Sequence, residues 1–207
     1  MRYYPAFLDL EGRKCVVVGG GKVASRKVRR LLKAGALVTV ISPGLDPALS
    51  RLKKRGAISH IERGFRPADF KGAAMVFSAT DQAAENKKVS LSAQRQGILV
   101  NVADMPGQCS FIVPSVVDRG PLLLAVSTSG VSPAMSRSIR IELERSYGRQ
   151  FARYLKELAV VRRRALEKGL SPARRRKLFK DLGSDDIIRD IRAGKVKSPR
   201  DPRLKDL

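Results

Sequence analysis

A glycine-rich turn constrains the fold of this chain more than any other feature of its sequence. Residues 15–18 are a continuous apolar run ending in three valines, which is typical of a strand buried in a parallel sheet. Three glycines follow directly, and residues 22–34 then place their apolar side chains at helical spacing. A strand, a glycine turn and a helix in this order predict the first half of a βαβ unit.

The alternation of short apolar runs and helical segments continues to residue 112. It predicts an α/β fold in which residues 1–112 form a Rossmann-like, doubly wound, mostly parallel sheet. The predicted strands lie at 15–18, 37–41, 58–61, 75–78 and 98–102, and the predicted helices lie at 22–34, 46–55 and 84–96.

The pattern changes near residue 113. Residues 113–147 predict a small α+β region, and residues 148–207 predict a basic helical domain. Strands are predicted at Ser110–Val113 and Leu122–Ser127, around a turn at 118–121. The predicted helix starts are Ser132-Pro133 (a helix to about Tyr147), Ser171-Pro172 and Ser184, and the last residues, 197–207, are predicted to fray.

The glycine turn is a G-x-G-x-x-A variant of the dinucleotide-binding fingerprint. Gly19 permits the tight turn, Gly21 lets backbone N–H groups approach a pyrophosphate, and Ala24 allows close packing of helix on strand. Lys22 and Arg26 put cations near the helix N-terminus, where the helix dipole disfavours them, so an anion is expected there. A plain strand–helix turn and a solvated basic face are the alternatives.

The second predicted strand ends without the acidic residue that usually binds the adenosine ribose. Ser42, or the backbone of Pro43 and Gly44, is the candidate for that role, while NADP held by Arg51 or Lys53 stays open. The predicted cofactor-binding residues are Gly19, Gly21, Lys22, Val23, Ala24, Ser42, Pro43, Gly44, Thr80 and Asp81, the last two because they follow a strand end at the same sheet edge.

Asp104 follows the fifth predicted strand and is the candidate catalytic residue. A carboxylate at this edge of the sheet faces the crevice, where it could accept a proton, bind a metal ion transiently through oxygen, or cap a loop. No permanently bound metal is predicted.

A hydroxyl-rich turn before the Ser132 helix predicts a second site. Hydroxyls, free N–H groups and arginines together bind carboxylates or phosphates, whereas capping by Ser132 alone is the alternative. The predicted substrate-binding residues are Asn101, Ser127, Thr128, Ser129, Gly130, Ser132, Arg137 and Arg140.

The charge balance points to anionic ligands. Lys and Arg number 42 against 19 Asp and Glu, a net charge of +23. Two distant cysteines and one histidine argue against a disulfide framework, a Cys-type zinc site and H-E-x-x-H chemistry. No secretory signal or spanning segment is predicted, so the expected location is cytoplasmic, without a membrane partner.

Three motifs together resemble one family, the precorrin-2 dehydrogenase and sirohydrochlorin ferrochelatase module of siroheme biosynthesis. They are Gly-Gly-Gly-Lys-Val-Ala-x-Arg-Lys at 19–27, Asn-Val-Ala-Asp at 101–104 and Ser-Thr-Ser-Gly-Val-Ser-Pro at 127–133. The resemblance extends over about residues 1–150, including 4–8 and 111–114, and weakens beyond. Because the chain stops at 207, the expected form is the stand-alone one.

The resemblance implies a function and partners. It implies NAD-dependent oxidation of precorrin-2, a tetrapyrrole polycarboxylate, to sirohydrochlorin, and in some members insertion of ferrous iron. It also implies that Asp104 is the essential aspartate, that Ser127 matches a serine phosphorylated in some relatives, and that residues 113–147 form a homodimer interface.

Two rival functions are considered. One is an NAD(H)-sensing regulator that binds DNA or a partner through its basic helical tail, and the other is a ligand-gating subunit of an ion transporter. Nucleic acid is disfavoured because no helix-turn-helix is recognisable and aromatic residues make up 5% of the chain.

Overall fold

The sheet is built around β1 (Lys14–Val18), whose side chains are buried on both faces. A computed structural model describes residues 2–195 of the chain. Cys15 and Val17 pack against one layer of helices, and Val16 and Val18 pack on the opposite side. Burying both faces requires a continuous apolar strand, which is why β1 shows no polar alternation.

Within the described residues, five parallel strands form one sheet in the order β3-β2-β1-β4-β5. The chain crosses back between β3 and β4, so β1 and β4 flank the topological switch point. In such a sheet, ligands bind outside the carboxyl ends of the strands at that point. The strands after β1 are β2 (Leu37–Ile41), β3 (Ser59–Ile61), β4 (Met75–Ser78) and β5 (Leu99–Val102).

Helices cover both faces of this sheet. One face packs against α1 (Lys22–Lys33) and α2 (Pro47–Lys54), and the other packs against α3 (Ala83–Arg95). Helix α2 starts at an Asp46 cap, whose Oδ1 accepts the N–H of Leu49 at 2.7 Å. The Rossmann-like α/β fold predicted from the sequence is confirmed, and each strand and helix end here lies within one or two residues of its predicted position.

A second unit begins after Val113. It contains the antiparallel pair β6 (Ser115–Arg119) and β7 (Leu122–Val126), followed by helices only. Those helices in the described chain are α4 (Pro133–Ser146), α5 (Arg149–Glu167), α6 (Pro172–Leu182) and α7 (Asp185–Arg192). The helix starts predicted at Ser132, Ser171 and Ser184 are confirmed as side-chain caps.

The strand predicted at Ser110–Val113 is wrong, because this segment forms no strand and the strand that pairs with β7 starts at Ser115. Ser110 instead binds β5 on both sides of Val100: its N–H donates to the Val100 carbonyl at 2.9 Å, and its Oγ accepts the Val100 N–H at 2.7 Å. Phe111 packs edge-on against Phe77, with ring centroids 5.6 Å apart. The apolar side chains of this segment therefore pack on the first unit and do not indicate a strand.

Residues 114–195 pack around a cluster of their own. Phe151, Tyr154 and Ile191 are buried there, with Leu122 and Tyr147 against them. The predicted boundary at 147/148 falls inside this unit and stays a proposal. The terminus predicted to fray, 197–207, lies outside the described residues. No helix within 2–195 is long and apolar enough to cross a membrane.

Candidate active site

The three glycines after β1 differ in what the fold requires of them. Gly19 adopts φ +115°, and an added Cβ there would overlap the Ala79 carbonyl; at Gly20 it would overlap the Gly44 carbonyl. At Gly21, an added Cβ would meet no atom of the described residues within 4 Å. The fold therefore accounts for the first two glycines, whereas the third leaves open space for a ligand.

The N-terminus of α1 faces this open space. Gly21 is the cap residue, and no side chain within the described residues bonds the free amides of the first turn. That turn contains Lys22 and no acidic residue. Uncapped amides at the positive end of a helix dipole bind anions, so this turn fits the pyrophosphate of a dinucleotide.

A cavity of about 610 Å³ lies over the glycine turn at the carboxyl ends of β1, β2 and β4. Its position is the crevice that the sheet topology predicts for a ligand. Ala24 is outside it, fully buried against the sheet as the helix-packing residue. The predicted cofactor residues that line it are Gly19, Gly21, Lys22, Val23, Ser42, Pro43, Gly44, Thr80 and Asp81.

Ser42 lies where an acidic ribose ligand would usually stand, and it is held from two sides. Its hydroxyl donates to the Gly44 carbonyl at 2.7 Å, and His60 Nε2 lies 3.0 Å from its carbonyl oxygen. His60 Nδ1 lies 3.1 Å from Lys53 Nζ, so the ring fits an Nε2–H donor and an Nδ1 acceptor. Among the described residues that line the cavity, Lys22 is the one basic residue. Neither Arg51 nor Lys53 lines it.

Asn86 holds the loop after β4 in place, although no motif in the sequence points to this residue. This side chain is 5% exposed; its Oδ1 accepts bonds from Ser78 Oγ at 2.7 Å, Thr80 Oγ1 at 2.9 Å and Thr80 N–H at 3.2 Å. Its Nδ2 donates to the Thr80 carbonyl at 3.0 Å. Because Ala79, Thr80 and Asp81 line the cavity, Asn86 fixes one of its walls.

Asn86→Ala is expected to weaken NAD binding by about tenfold and to lower the free energy of unfolding by about 1–3 kcal/mol, because buried partners lose their acceptor. Calorimetric titration with NAD and thermal unfolding measure both. Gln96→Ala removes an exposed amide at the other end of α3 and serves as the control. Unchanged NAD affinity in a folded Asn86→Ala protein would contradict this role.

Asp104 follows β5 with a backbone conformation that is rare outside glycine, φ +57°. It is exposed and lines a second cavity, of about 340 Å³. Val23, Ala79, Thr80 and Asp81 line both cavities, so they adjoin. Strained backbone concentrates at functional sites, and here it presents a carboxylate beside the dinucleotide crevice.

Asn101, predicted to contact substrate, is placed differently. It is 8% exposed, with Oδ1 accepting from Lys27 Nζ at 3.1 Å and Nδ2 donating to the Phe111 carbonyl at 3.1 Å. Both ends of the amide are thus used inside the first unit. We therefore interpret Asn101 as a brace for the end of β5 rather than a substrate contact.

The hydroxyl-rich turn of the second unit is bonded largely to itself. Ser132 Oγ caps α4 at Met135 N–H, Thr128 Oγ1 bonds the Ser132 backbone, and Ser127 Oγ accepts the N–H of Ser129. Ser129 and Gly130 both adopt positive φ, +56° and +87°. The capping role of Ser132 considered from the sequence is therefore present.

The two predicted arginines of α4 differ. Arg140 pairs with Glu144, whereas Arg137 is exposed and makes no ion pair or hydrogen bond within residues 2–195. Arg137 is therefore the better candidate for an anionic ligand.

Across residues 2–195, no three His, Cys, Asp or Glu side chains lie where they could share a metal ion.

Two family models match this chain. The model described as "Putative NAD(P)-binding" matches residues 6–115, and the model described as "Sirohaem biosynthesis protein central" matches residues 119–146. The first alone spans more than half of the chain. The chain belongs to the siroheme-biosynthesis family of NAD(P)-binding proteins.

Relatives within this family are similar along most of the chain. A siroheme synthase of Methylobacillus flagellatus is 42% identical over 201 residues, which are 97% of this chain and 43% of that protein. A siroheme synthase of Thioalkalivibrio sulfidiphilus is 48% identical over 153 residues, 72% of this chain and 31% of that protein. The chain thus spans less than half the length of these relatives.

A solved structure resembles this chain along nearly its full length. It is SirC, a precorrin-2 dehydrogenase, with a TM-score of 0.82 and 26% sequence identity. The match covers 99% of this chain and 100% of that one. The likeness therefore extends beyond residue 150, past the three motifs that carry the sequence resemblance.

Proposed function

We propose that the chain catalyses the NAD-dependent oxidation of precorrin-2 to sirohydrochlorin in siroheme biosynthesis. The observation that carries the proposal is the adjoining pair of cavities: the open glycine turn lines one, Asp104 lines the other, and they share four lining residues. A base beside a hydride acceptor is what such an oxidation requires. The predicted cytoplasmic location is part of the same proposal.

The residues divide the work between binding and proton transfer. When bound, NAD supplies a two-electron acceptor that takes a hydride from the macrocycle. The amides of the first turn of α1 bind the pyrophosphate, and the segment at Ser42 holds the adenosine ribose. Asp104 accepts the proton that leaves the macrocycle and passes it to solvent, so one hydride and one proton are removed.

The lining of the crevice favours NAD over NADP. Of the described residues that line the crevice, Asp81 and Glu85 are acidic, while the basic residue, Lys22, belongs to the glycine turn. Lys53 is already engaged by His60, with Glu62 3.9 Å away. Like charges disfavour a phosphate there, and a missing guanidinium removes its usual partner.

The substrate's carboxylates need cationic partners. Arg137 and the backbone N–H of Gly130 are the candidates in the second unit, and the net charge of +23 attracts a polyanion at long range. Insertion of ferrous iron, with Asp104 as a transient oxygen ligand, is a separate proposal. Its test compares metal insertion into sirohydrochlorin with and without the protein under anaerobic conditions.

The test of the main proposal is anaerobic incubation of the protein with precorrin-2 and either dinucleotide. We expect NADH and sirohydrochlorin to form together, with kcat/KM for NAD at least about tenfold above that for NADP, which corresponds to about 1.4 kcal/mol. An NAD(H)-sensing regulator would bind the dinucleotide without turnover, and that result would refute the proposal.

A homodimer is the second part of the proposal. Met135 and Ile139 lie four residues apart on α4, and Val131 directly precedes the Ser132 cap of that helix; the three are 58%, 37% and 87% exposed. The neighbouring sheet has two strands within the described chain, and an isolated pair of strands is marginally stable in water. A second copy that covers this stripe would account for both features.

Met135→Asp is expected to convert a dimer into a monomer at micromolar concentration, because burying an unpaired carboxylate is unfavourable. Multi-angle light scattering measures the mass in solution. Ala134→Asp places the same charge on an exposed neighbouring position of α4 and should leave the dimer intact. A wild-type protein that is monomeric throughout would contradict the homodimer.

A further inference from the structure

Lys27 is a half-buried lysine of α1 to which the proposed reaction assigns no role. It lies in the second turn of the helix, beyond the residues of the glycine turn, and it lines neither cavity. Most lysines extend into solvent, so an ammonium group directed into the protein needs partners there.

Those partners belong to the strands next to the switch point. Lys27 Nζ donates to Asn101 Oδ1 at 3.1 Å and lies 5.2 Å from the centre of the Phe77 ring. Phe77 and Asn101 are paired residues of β4 and β5. A hydrogen bond and a cation–π contact together fix the ammonium over the carboxyl end of β5.

The contact continues beyond Asn101. The Asn101 amide donates to the Phe111 carbonyl at 3.1 Å, and Cys109 Sγ accepts the N–H of Val102 at 3.2 Å. Asp104 stands in the loop between these two anchored segments, held at φ +57°. Through Asn101, Lys27 is therefore linked to both segments that flank the loop carrying Asp104.

The charges agree with this arrangement. Burial lowers the pKa of the Lys27 ammonium, and the nearby Arg26 and Arg30 lower that pKa further. Cys109 and Asp104 act in the opposite direction and raise the pKa. Asp104 is thus close enough for its carboxylate to interact with the Lys27 charge.

We infer that Lys27 is a positioning residue, which holds the end of β5 through Asn101 and so keeps the Asp104 carboxylate at the place where it meets the substrate. The inference rests on the proposed function, because it concerns the geometry of the same reaction. Lys27 itself lines neither cavity. Its contribution is made through Asp104, and small displacements of a catalytic group reduce kcat strongly.

Lys27→Met keeps an unbranched chain over Phe77 and removes the donor to Asn101. It is expected to lower kcat by at least about tenfold with KM for NAD within about twofold of wild type, which is the signature of a lost transition-state interaction. Lys27→Arg retains a cationic donor and should restore most of kcat. Lys87→Met, the same change at an exposed site on α3, is the control and should match wild type.

A double variant of Lys27 and Asp104 distinguishes the positioning role from a merely structural one. In an Asp104→Asn background, Lys27→Met should lower single-turnover rates no further, because residues that act as one unit are not additive. Should Lys27→Met fail to fold, Asn101→Ala removes the same hydrogen bond from its other end, and the same split between kcat and KM is expected.

The outcomes distinguish this inference from the function on which it rests. A wild-type protein that forms no NADH from precorrin-2 and NAD would refute the proposed function. Wild-type turnover together with an unchanged kcat in folded Lys27→Met would overturn the role of Lys27 alone. Additive losses in the double variant, or equal losses in kcat and NAD affinity, would overturn it as well.

Discussion

Asp104→Asn is expected to lower kcat for precorrin-2 oxidation by at least about 100-fold, because a positioned base contributes a factor on the order of 100 to 10,000. The amide is nearly the same shape as the carboxylate but cannot accept the proton. Asparagine also tolerates the left-handed backbone conformation that this position adopts, φ +57°, so the fold should be preserved.

The affinity for NAD should stay within about twofold of wild type, since Asp104 lies in the adjoining cavity rather than over the glycine turn. Stopped-flow detection of NADH measures kcat, and calorimetric titration measures the affinity. Asp9→Asn makes the same change at an exposed position outside both cavities and should behave as wild type. Near-normal turnover in Asp104→Asn would contradict its assignment as the base.

Gly21→Asp is expected to weaken NAD binding by at least about 100-fold, close to 2.7 kcal/mol. The structure leaves room for the new side chain, since an added Cβ at Gly21 meets no described atom within 4 Å. The carboxylate would enter the pyrophosphate site and accept hydrogen bonds from the free amides of α1, which would then be unavailable to the pyrophosphate. At about 4 Å, two like charges near a protein surface repel by about 4 kcal/mol, which exceeds the required loss.

The same substitution should leave the protein folded, which makes the result easy to interpret. Aspartate is a preferred N-cap residue, so the free energy of unfolding should rise by about a few tenths of a kcal/mol. Gly21→Asn occupies the same space without the charge and should lose less NAD affinity. A protein that binds NAD normally with aspartate at this position would show that the pyrophosphate lies elsewhere.

Local sequence signals were sufficient for the parallel sheet and the glycine turn. The valines of β1 predict burial on both faces, and the Ser-Pro pairs at Ser132 and Ser171 predict helix starts, because those signals depend on neighbours in sequence. The segment at Ser110–Val113 misled the prediction, since its apolar residues pack on the first unit without pairing as a strand.

Contacts between distant positions could not be predicted in this way. Lys27 reaches Asn101 across 74 residues of sequence, and neither side chain carries a periodic signal. The hydroxyl of Ser78 meets Asn86 from the next helix, which no spacing rule suggests. The glycines illustrate the same limit: the sequence shows three in a row, and the structure separates the two that packing requires from the one that faces open space.

The most direct test follows NADH and sirohydrochlorin together in anaerobic reactions of the wild-type, Asp104→Asn and Gly21→Asp proteins. The account predicts equal amounts of both products from wild type and neither at a comparable rate from the variants, with NAD still bound by Asp104→Asn and not by Gly21→Asp. Sirohydrochlorin formed without NADH would contradict a hydride transfer at this pair of cavities, and turnover retained in Asp104→Asn would contradict the assignment of Asp104 as the base.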